Sequence, residues 1–168
     1  MPDQLARLYD DHAQPLFAFL LNFTRNEDDT REVLQEIFVK LARQPDLLRA
    51  ARDERAFLIR LAHNAAIDLM RRRGARARRD DEFSAEAVES SVPTSDPDEA
   101  AFRAGLTAAL DILPPDQRAV VHLKLWEGLT FEEIAKVLEI SPNTAASRYR
   151  YSLDKLRERL RPLYEEIK

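Results

Sequence analysis

The segment over residues 80–97 limits what this 168-residue chain can fold into more than any other feature. It is rich in acidic residues, serine and proline, and no lysine or arginine occurs between Arg79 and Arg103. Such a stretch buries too little apolar surface to offset the entropy lost on ordering. The sequence therefore predicts a flexible acidic linker over 80–97, one small domain over 1–79 and a second over 98–168.

Both predicted domains have the composition of helical proteins. The chain is 45% hydrophobic and 33% charged, and it has three glycines, fewer than the many turns of a β fold would require. We therefore predict an all-α fold of two small helical domains.

Several kinds of chemistry are excluded or disfavoured by the sequence. The absence of cysteine excludes disulfides and thiolate metal sites. His12, His63 and His122 fall on different predicted helices, and the three glycines lie too far apart for a phosphate-binding loop. We expect no metal, no cofactor and no catalytic residues, and hence a protein that is not an enzyme.

The chain begins with a polar segment and has no apolar run approaching the roughly 18 residues of a membrane span. This pattern predicts a cytoplasmic protein without membrane insertion.

Three amphipathic helices are predicted in the first domain. The first has apolar residues at three- and four-residue intervals, and Pro15 is expected to kink or split it. The predicted stripe consists of Leu5, Leu8, Tyr9, His12, Leu16, Phe19, Leu20 and Phe23. The second helix opens at Asn26 and leaves Gln35 and Glu36 on its outer side.

The third predicted helix, from Arg55 to about Arg73, has an apolar face and a polar face. The apolar face is assigned Leu58, Leu61, Ala62, Ala65 and Leu69, and the opposite face Arg60, His63, Asn64, Ile67 and Arg71. Arginine and asparagine can donate to phosphates and base edges, although such a face can also be merely solvated.

Basic residues accumulate along this helix and just after it. Between Arg55 and Arg79 the single acid is Asp68, and the segment also contains Arg60, Arg71, Arg72, Arg73, Arg76 and Arg78. The acidic linker that follows is either a solvated tether or a DNA mimic that shields this stripe.

The second domain begins with two predicted helices. The first has Phe102, Leu106, Ala109, Leu110 and Leu113 on one face and must end at Pro114 and Pro115. The next helix is expected to bury Val120, Val121 and Leu125, with Gly128 as its C-terminal cap.

A short helix, a tight turn and a long helix follow, which is the helix-turn-helix pattern. Thr130 and Glu133 form a predicted capping box, and Ser141 followed by Pro142 is a favourable start for the long helix to about Arg161. The inward side of the long helix is assigned Ala145, Tyr149, Ser152 and Leu156, and the outward side Asn143, Ala146, Ser147 and Arg150.

Four blocks of the sequence, in order around the acidic linker, resemble the extracytoplasmic-function (group IV) sigma factors of the sigma-70 superfamily. The blocks are Leu34–Phe38, Arg55–Leu58 with Asn64–Asp68 and Arg71–Arg73, Leu113–Pro115 with Glu127–Ala135, and Ile140–Tyr149 continuing to Leu156. The resemblance implies that the first domain is the family's region two and the second its region four.

The resemblance also implies a function and its partners. The protein would bind core RNA polymerase, direct it to promoter DNA for transcription initiation, and could have an anti-sigma factor as a third partner. Gln35 and Glu36 would contact the polymerase. The loop over 44–54 would hold a flipped base of the minus-10 element.

The resemblance assigns DNA contacts to both domains. Minus-10 contacts would come from Arg60, His63, Asn64, Arg71, Arg72 and Arg73. Minus-35 contacts would come from Asn143, Thr144, Ser147, Arg148 and Arg150, with Arg148 on the DNA backbone. Two residues depart from the family's pattern: His63 replaces a basic residue, and Glu139 stands where the turn often has glycine, which predicts either a strained or a different turn.

Two other classes of protein are open on the residues alone. A free-standing helix-turn-helix repressor would bind a palindromic duplex without polymerase. A helical interaction protein, such as an anti-sigma factor or a scaffold, would need no DNA-binding face, and the arginine stripe argues against it.

Overall fold

The computed structural model describes residues 2–77 and 97–167, and these residues form eight α-helices and no β-strand. The chain divides into two compact units, Met1–Ala87 and Val88–Lys168. The all-α prediction with two helical domains is confirmed. Most of the predicted linker lies outside the described residues, and its last residue, Pro97, already begins a helix.

The first unit contains four helices. These are α1 (Pro2–Thr24), α2 (Glu27–Arg43), α3 (Asp46–Arg49) and α4 (Glu54–Ala77). Helix α1 continues through Pro15, so of the two expected effects of this proline, a kink or a split, the split is wrong. Leu8 on one side of Pro15 and Leu16, Phe19 and Leu20 on the other are buried, and this packing offsets the hydrogen bond that proline removes.

The buried side of α4 is rotated from the predicted one. Leu58, Ala62 and Leu69 are buried as expected, but Ile59 and Ala66 are buried as well. Leu61 and Ala65 are only half-buried. Helix α4 packs against both α1 and α2, so two neighbours share its surface and cover a wider arc than one apolar stripe.

The second unit also contains four helices, α5 (Pro97–Leu110), α6 (Pro115–Leu125), α7 (Phe131–Leu138) and α8 (Pro142–Ile167). Helix α8 packs against the other three. One cluster of the core joins α5, α6 and α8 through Ala109, Leu110, Leu113, Val121, Leu156 and Leu160.

Two expectations for this unit are corrected. Helix α8 does not stop near Arg161 but includes Pro162 and ends at Ile167. Leu125, predicted inward, is 48% exposed, because it is the last residue of α6 and the chain then turns away through Gly128 at a φ of 67°.

Candidate nucleic-acid interface

Side-chain caps fix where both helices of the predicted helix-turn-helix begin. The Thr130 hydroxyl accepts a hydrogen bond from the Glu133 N–H at 3.2 Å and donates to the Glu133 carboxylate at 3.0 Å. In a full capping box the Glu133 carboxylate would accept from the Thr130 backbone N–H. Here the carboxylate accepts from the Thr130 hydroxyl instead. At the start of α8 the Ser141 hydroxyl accepts from the Thr144 N–H at 3.0 Å, which confirms the predicted cap.

The turn between α7 and α8 depends on a single left-handed residue. Glu139 has φ 57° and ψ 47°, and the Ile140 N–H donates to the Ala135 carbonyl at 3.0 Å. A residue with a Cβ occupies this conformation at a cost of about 1–2 kcal/mol. The strained-turn alternative is therefore the one that the chain adopts.

The five residues predicted to contact the minus-35 element differ in how they are held on α8. Asn143 and Arg150 are exposed, and Ser147 is half-buried. Thr144 is tied to the N-cap, since its hydroxyl oxygen lies 2.8 Å from that of Ser141. Arg148 forms an ion pair across the unit, with its Nε 3.5 Å from the Asp116 carboxylate on α6.

The opposite side of α8 is the packed side. Ala145, Ser152 and Leu156 are buried and Tyr149 is half-buried, as predicted. The small Ala145 side chain, fully buried near the start of α8, allows close approach to its neighbours. The helix therefore directs Asn143 and Arg150 away from the core.

On α4 the predicted minus-10 residues also separate into two groups. Asn64, Arg71 and Arg72 are exposed and Arg60 is half-buried. His63 was expected on the same outward face, and that placement is wrong. Its ring lies 5.0 Å from the Phe23 ring and 6.5 Å from the Phe19 ring of α1, because the buried face of α4 is rotated toward α1.

Arg73 is engaged by two carboxylates of α2. Its Nε lies 3.0 Å from an Asp29 oxygen, and its terminal nitrogen donates to Glu32 at 2.8 Å. The first contact is an ion pair without a hydrogen bond. Burial raises the pKa of Asp29, whereas the Arg73 charge lowers it.

Sequence reasoning missed Asp29, Glu32 and Asp116 as partners of interface arginines. Glu32 is 41 residues from Arg73 in the chain, and no local periodicity or cap connects two positions so far apart. Asp29 and Asp116 lie in the first turn of their helices, where acids are ordinary helix-start residues, so their second role could be found only from the packing.

Helix α2 presents a polar outer side. Gln35 and Glu36 are exposed as predicted, and Lys40 is exposed as well. Val39 is 42% exposed, and the 53% exposed Tyr9 ring makes an edge-to-face contact with the Phe38 ring, with 5.1 Å between the ring centroids. Mixed polar and apolar groups of this kind suit a protein contact.

Across residues 2–77 and 97–167, no three histidine or acidic side chains are grouped closely enough to hold a metal ion. Within the same ranges, no helix combines the length and apolar character needed to cross a membrane.

A capped helix-turn-helix in one unit and an arginine-bearing helix in the other define a two-unit helical DNA-binding protein. Comparison with known proteins specifies the class further. The family models for Sigma-70 region 2 and Sigma-70, region 4 match residues 8–76 and 103–156.

Relatives that are named RNA polymerase sigma factors align over nearly the whole chain. The ECF sigma factor SigX of Bacillus subtilis is 28% identical over 99% of this chain and 89% of its own length. SigL of Mycobacterium tuberculosis is 33% identical over 93% of this chain and 88% of its own length. CarQ of Myxococcus xanthus is 33% identical over 98% and 94%.

A solved structure agrees on the fold. The sigma factor RpoE of Bartonella quintana, crystallised with the anti-sigma factor NepR, is similar with a TM-score of 0.77 at 21% identity. The match covers 95% of this chain and 96% of RpoE. The chain belongs to the sigma-70 family and is an RNA polymerase sigma factor of the extracytoplasmic-function kind. These relatives give no support to the free-standing repressor.

Proposed function

We propose that this sigma factor binds core RNA polymerase through α2 and directs it to promoters through α4 and α8. It is a cytoplasmic transcription initiation factor rather than an enzyme, and it acts by binding polymerase and DNA without catalysing a reaction itself. The observation that carries the proposal is the capped start of α8, which leaves Asn143 and Arg150 exposed on a helix whose other side is packed.

Helix α8 reads the minus-35 element in the major groove. Residues in the N-terminal half of the second helix of such a motif reach base edges. Arg150 and Asn143 carry groups suited to guanine and adenine respectively, with Ser147 beside them. Thr144 and Arg148, which are held at the cap and by Asp116, approach the DNA backbone.

Helix α4 and the segment before it act on the minus-10 element. Asn64, Arg71 and Arg72 are exposed and can donate to a single strand, with Arg60 at the edge of this surface. The loop over 44–54, which contains α3, holds a flipped base. Base extrusion costs a few kcal/mol, so capture of the unstacked strand favours promoter opening.

An anti-sigma factor is proposed as a third partner. The similar RpoE chain was crystallised with one. An inhibitor that covered the exposed side of α2 or α8 would block polymerase or promoter binding.

The α2 contact is tested with Gln35→Ala combined with Glu36→Ala. Both side chains lie outside the core, so the fold should persist while affinity for core polymerase falls about tenfold, which corresponds to about 0.7 kcal/mol for each truncated residue. The affinity is measured by titrating the labelled full chain with core polymerase.

A matched control removes the same two functional groups from another helix. Asp10→Ala with Gln14→Ala deletes one carboxylate and one amide from exposed positions of α1 and should leave the affinity unchanged. Equal affinities for wild type and the α2 variant would remove Gln35 and Glu36 from the polymerase interface.

A further inference from the structure

The three consecutive arginines at the end of α4 are not equivalent. Arg71 and Arg72 are exposed, whereas Arg73 is half-buried and its side chain reaches across to α2. Its guanidinium is shared between Asp29 at 3.0 Å and Glu32 at 2.8 Å. A guanidinium placed between two carboxylates has its charge compensated within the protein, so it attracts a phosphate less strongly than a solvent-exposed arginine does.

The environment of Asp29 explains why this arrangement should persist. The Asp29 side chain is 10% exposed, and a buried carboxylate is costly unless a cation accompanies it. Burial raises its pKa and the neighbouring Glu32 and Asp28 raise it further, while Arg73 opposes them. If Arg73 turned toward DNA, the Asp29 charge would be left uncompensated.

We propose that Arg73 is a positioning residue whose ion pairs with Asp29 and Glu32 hold the end of α4 against the beginning of α2, leaving Arg71 and Arg72 to bind promoter phosphates. The inference rests on the proposed function for the roles of Arg71 and Arg72. It implies that the helix assigned to the polymerase and the helix assigned to the minus-10 strand are fixed to each other by one salt-bridged cluster.

The salt dependence of promoter binding separates the two roles. The full chain is assembled with core polymerase, and its affinity for a fluorescent promoter fragment is measured over a series of salt concentrations. Each lost phosphate contact reduces the slope of log affinity against log salt by about 0.7–0.9. Arg71→Gln and Arg72→Gln should each show this reduction, and Arg73→Gln should keep the wild-type slope.

The stability of the first unit supplies a second readout. Arg73→Gln should lower its midpoint of thermal unfolding by about 4 °C or more, whereas Arg71→Gln leaves it unchanged. Asp29→Asn combined with Arg73→Gln should recover much of the loss, because it removes the uncompensated carboxylate. If Arg73→Gln alone does not fold, the double variant is used for the salt series.

The pH dependence of the stability loss in Arg73→Gln tests whether the Asp29 carboxylate causes that loss. A carboxyl whose folded pKa is raised costs stability as it ionises, so the loss in Arg73→Gln should be small near pH 4 and grow as the pH rises. The double variant should lack this trend.

The proposal would be overturned if Arg73→Gln reduced the salt slope as much as Arg71→Gln does. It would also be overturned if Arg73→Gln had the same midpoint of thermal unfolding as the wild type. Failure of the proposed function looks different: wild-type holoenzyme would bind no promoter, or Arg71→Gln and Arg72→Gln would keep the full slope. The unfolding measurements on Arg73 would still decide its positioning role.

Discussion

At the scale of single residues, the exposure of an arginine and its ion pairs within the protein determine whether it is available to bind DNA. Arg150 is exposed in the N-terminal half of α8, whereas Arg148 on the same helix is paired with Asp116. The two arginines are two positions apart on α8, so helical periodicity already directs them to different sides of the helix. Their different surroundings predict different effects of mutation.

Arg150→Ala should relax the promoter preference at one base pair of the minus-35 element. A lost base contact costs about 1–3 kcal/mol at that position, whereas a lost phosphate contact weakens all sequences alike. Binding of the holoenzyme to a set of single-base promoter variants at one salt concentration distinguishes the two. Arg157→Ala, which removes an exposed arginine further along α8, is the matched control, and a uniform loss for Arg150→Ala would reassign that residue to the DNA backbone.

His122 makes the second unit sensitive to acid. The side chain is 1% exposed, its ring stacks 5.2 Å from the Trp126 ring, and its Nε2 lies 3.9 Å from the Glu127 carboxylate. Burial lowers its pKa from the ordinary 6.5, and Glu127 offsets this only in part. The folded state therefore binds fewer protons than the unfolded state, and stability should fall as the pH drops below 6.5.

The free energy of unfolding of the second unit should change with pH by at most about 1.4 kcal/mol per pH unit, the limit for one proton. Fluorescence of Trp126, the single tryptophan of the chain, reports unfolding of this unit between pH 7.5 and pH 5.5. His122→Gln should flatten the profile, while His12→Gln in the first unit should not change it. A profile that stays equally steep without His122 would assign the acid sensitivity to other groups.

At the scale of secondary-structure elements, the turn between α7 and α8 determines how the recognition helix is presented. Both flanking caps are made by local side chains, Thr130 and Ser141. Glu139 between them adopts a left-handed conformation that glycine occupies without the steric cost of a Cβ.

Glu139→Gly should therefore stabilise the second unit by about 0.5–1 kcal/mol, since relief of the left-handed strain exceeds the extra backbone entropy of glycine. Urea unfolding measures the change. The control, Glu132→Gly, places glycine inside α7 and should destabilise the unit by a similar amount. A loss of stability in Glu139→Gly would mean that the glutamate side chain makes contacts worth more than the strain.

Local and long-range features of these elements differed in how well the sequence predicted them. Thr130, Ser141 and Pro142 specified helix starts because a cap depends on residues within one turn. The face of α4 was predicted less well, since burial of Ile59 and the contact of His63 with Phe23 depend on two packed neighbours. The Arg73 cluster could not be predicted, because its partners are distant in sequence.

At the scale of the whole molecule, a formal net charge of -4 is compatible with DNA binding. Net charge averages over the chain, whereas the proposed phosphate binding depends only on local basic groups, here Arg71 and Arg72. Each unit has its own apolar core, so each can present its binding surfaces without support from the other. The proposed function requires the polymerase, minus-10 and minus-35 surfaces together to select a promoter.

Promoter-directed transcription tests the central claim most directly. Purified core polymerase is incubated with the full chain and genomic fragments of the source bacterium, and the start points of the transcripts are mapped. We predict discrete start points that require both the chain and the core polymerase and share upstream sequence at two separated elements. Specific binding of the chain alone to a palindromic duplex, with no start point that depends on it, would contradict its role as a sigma factor.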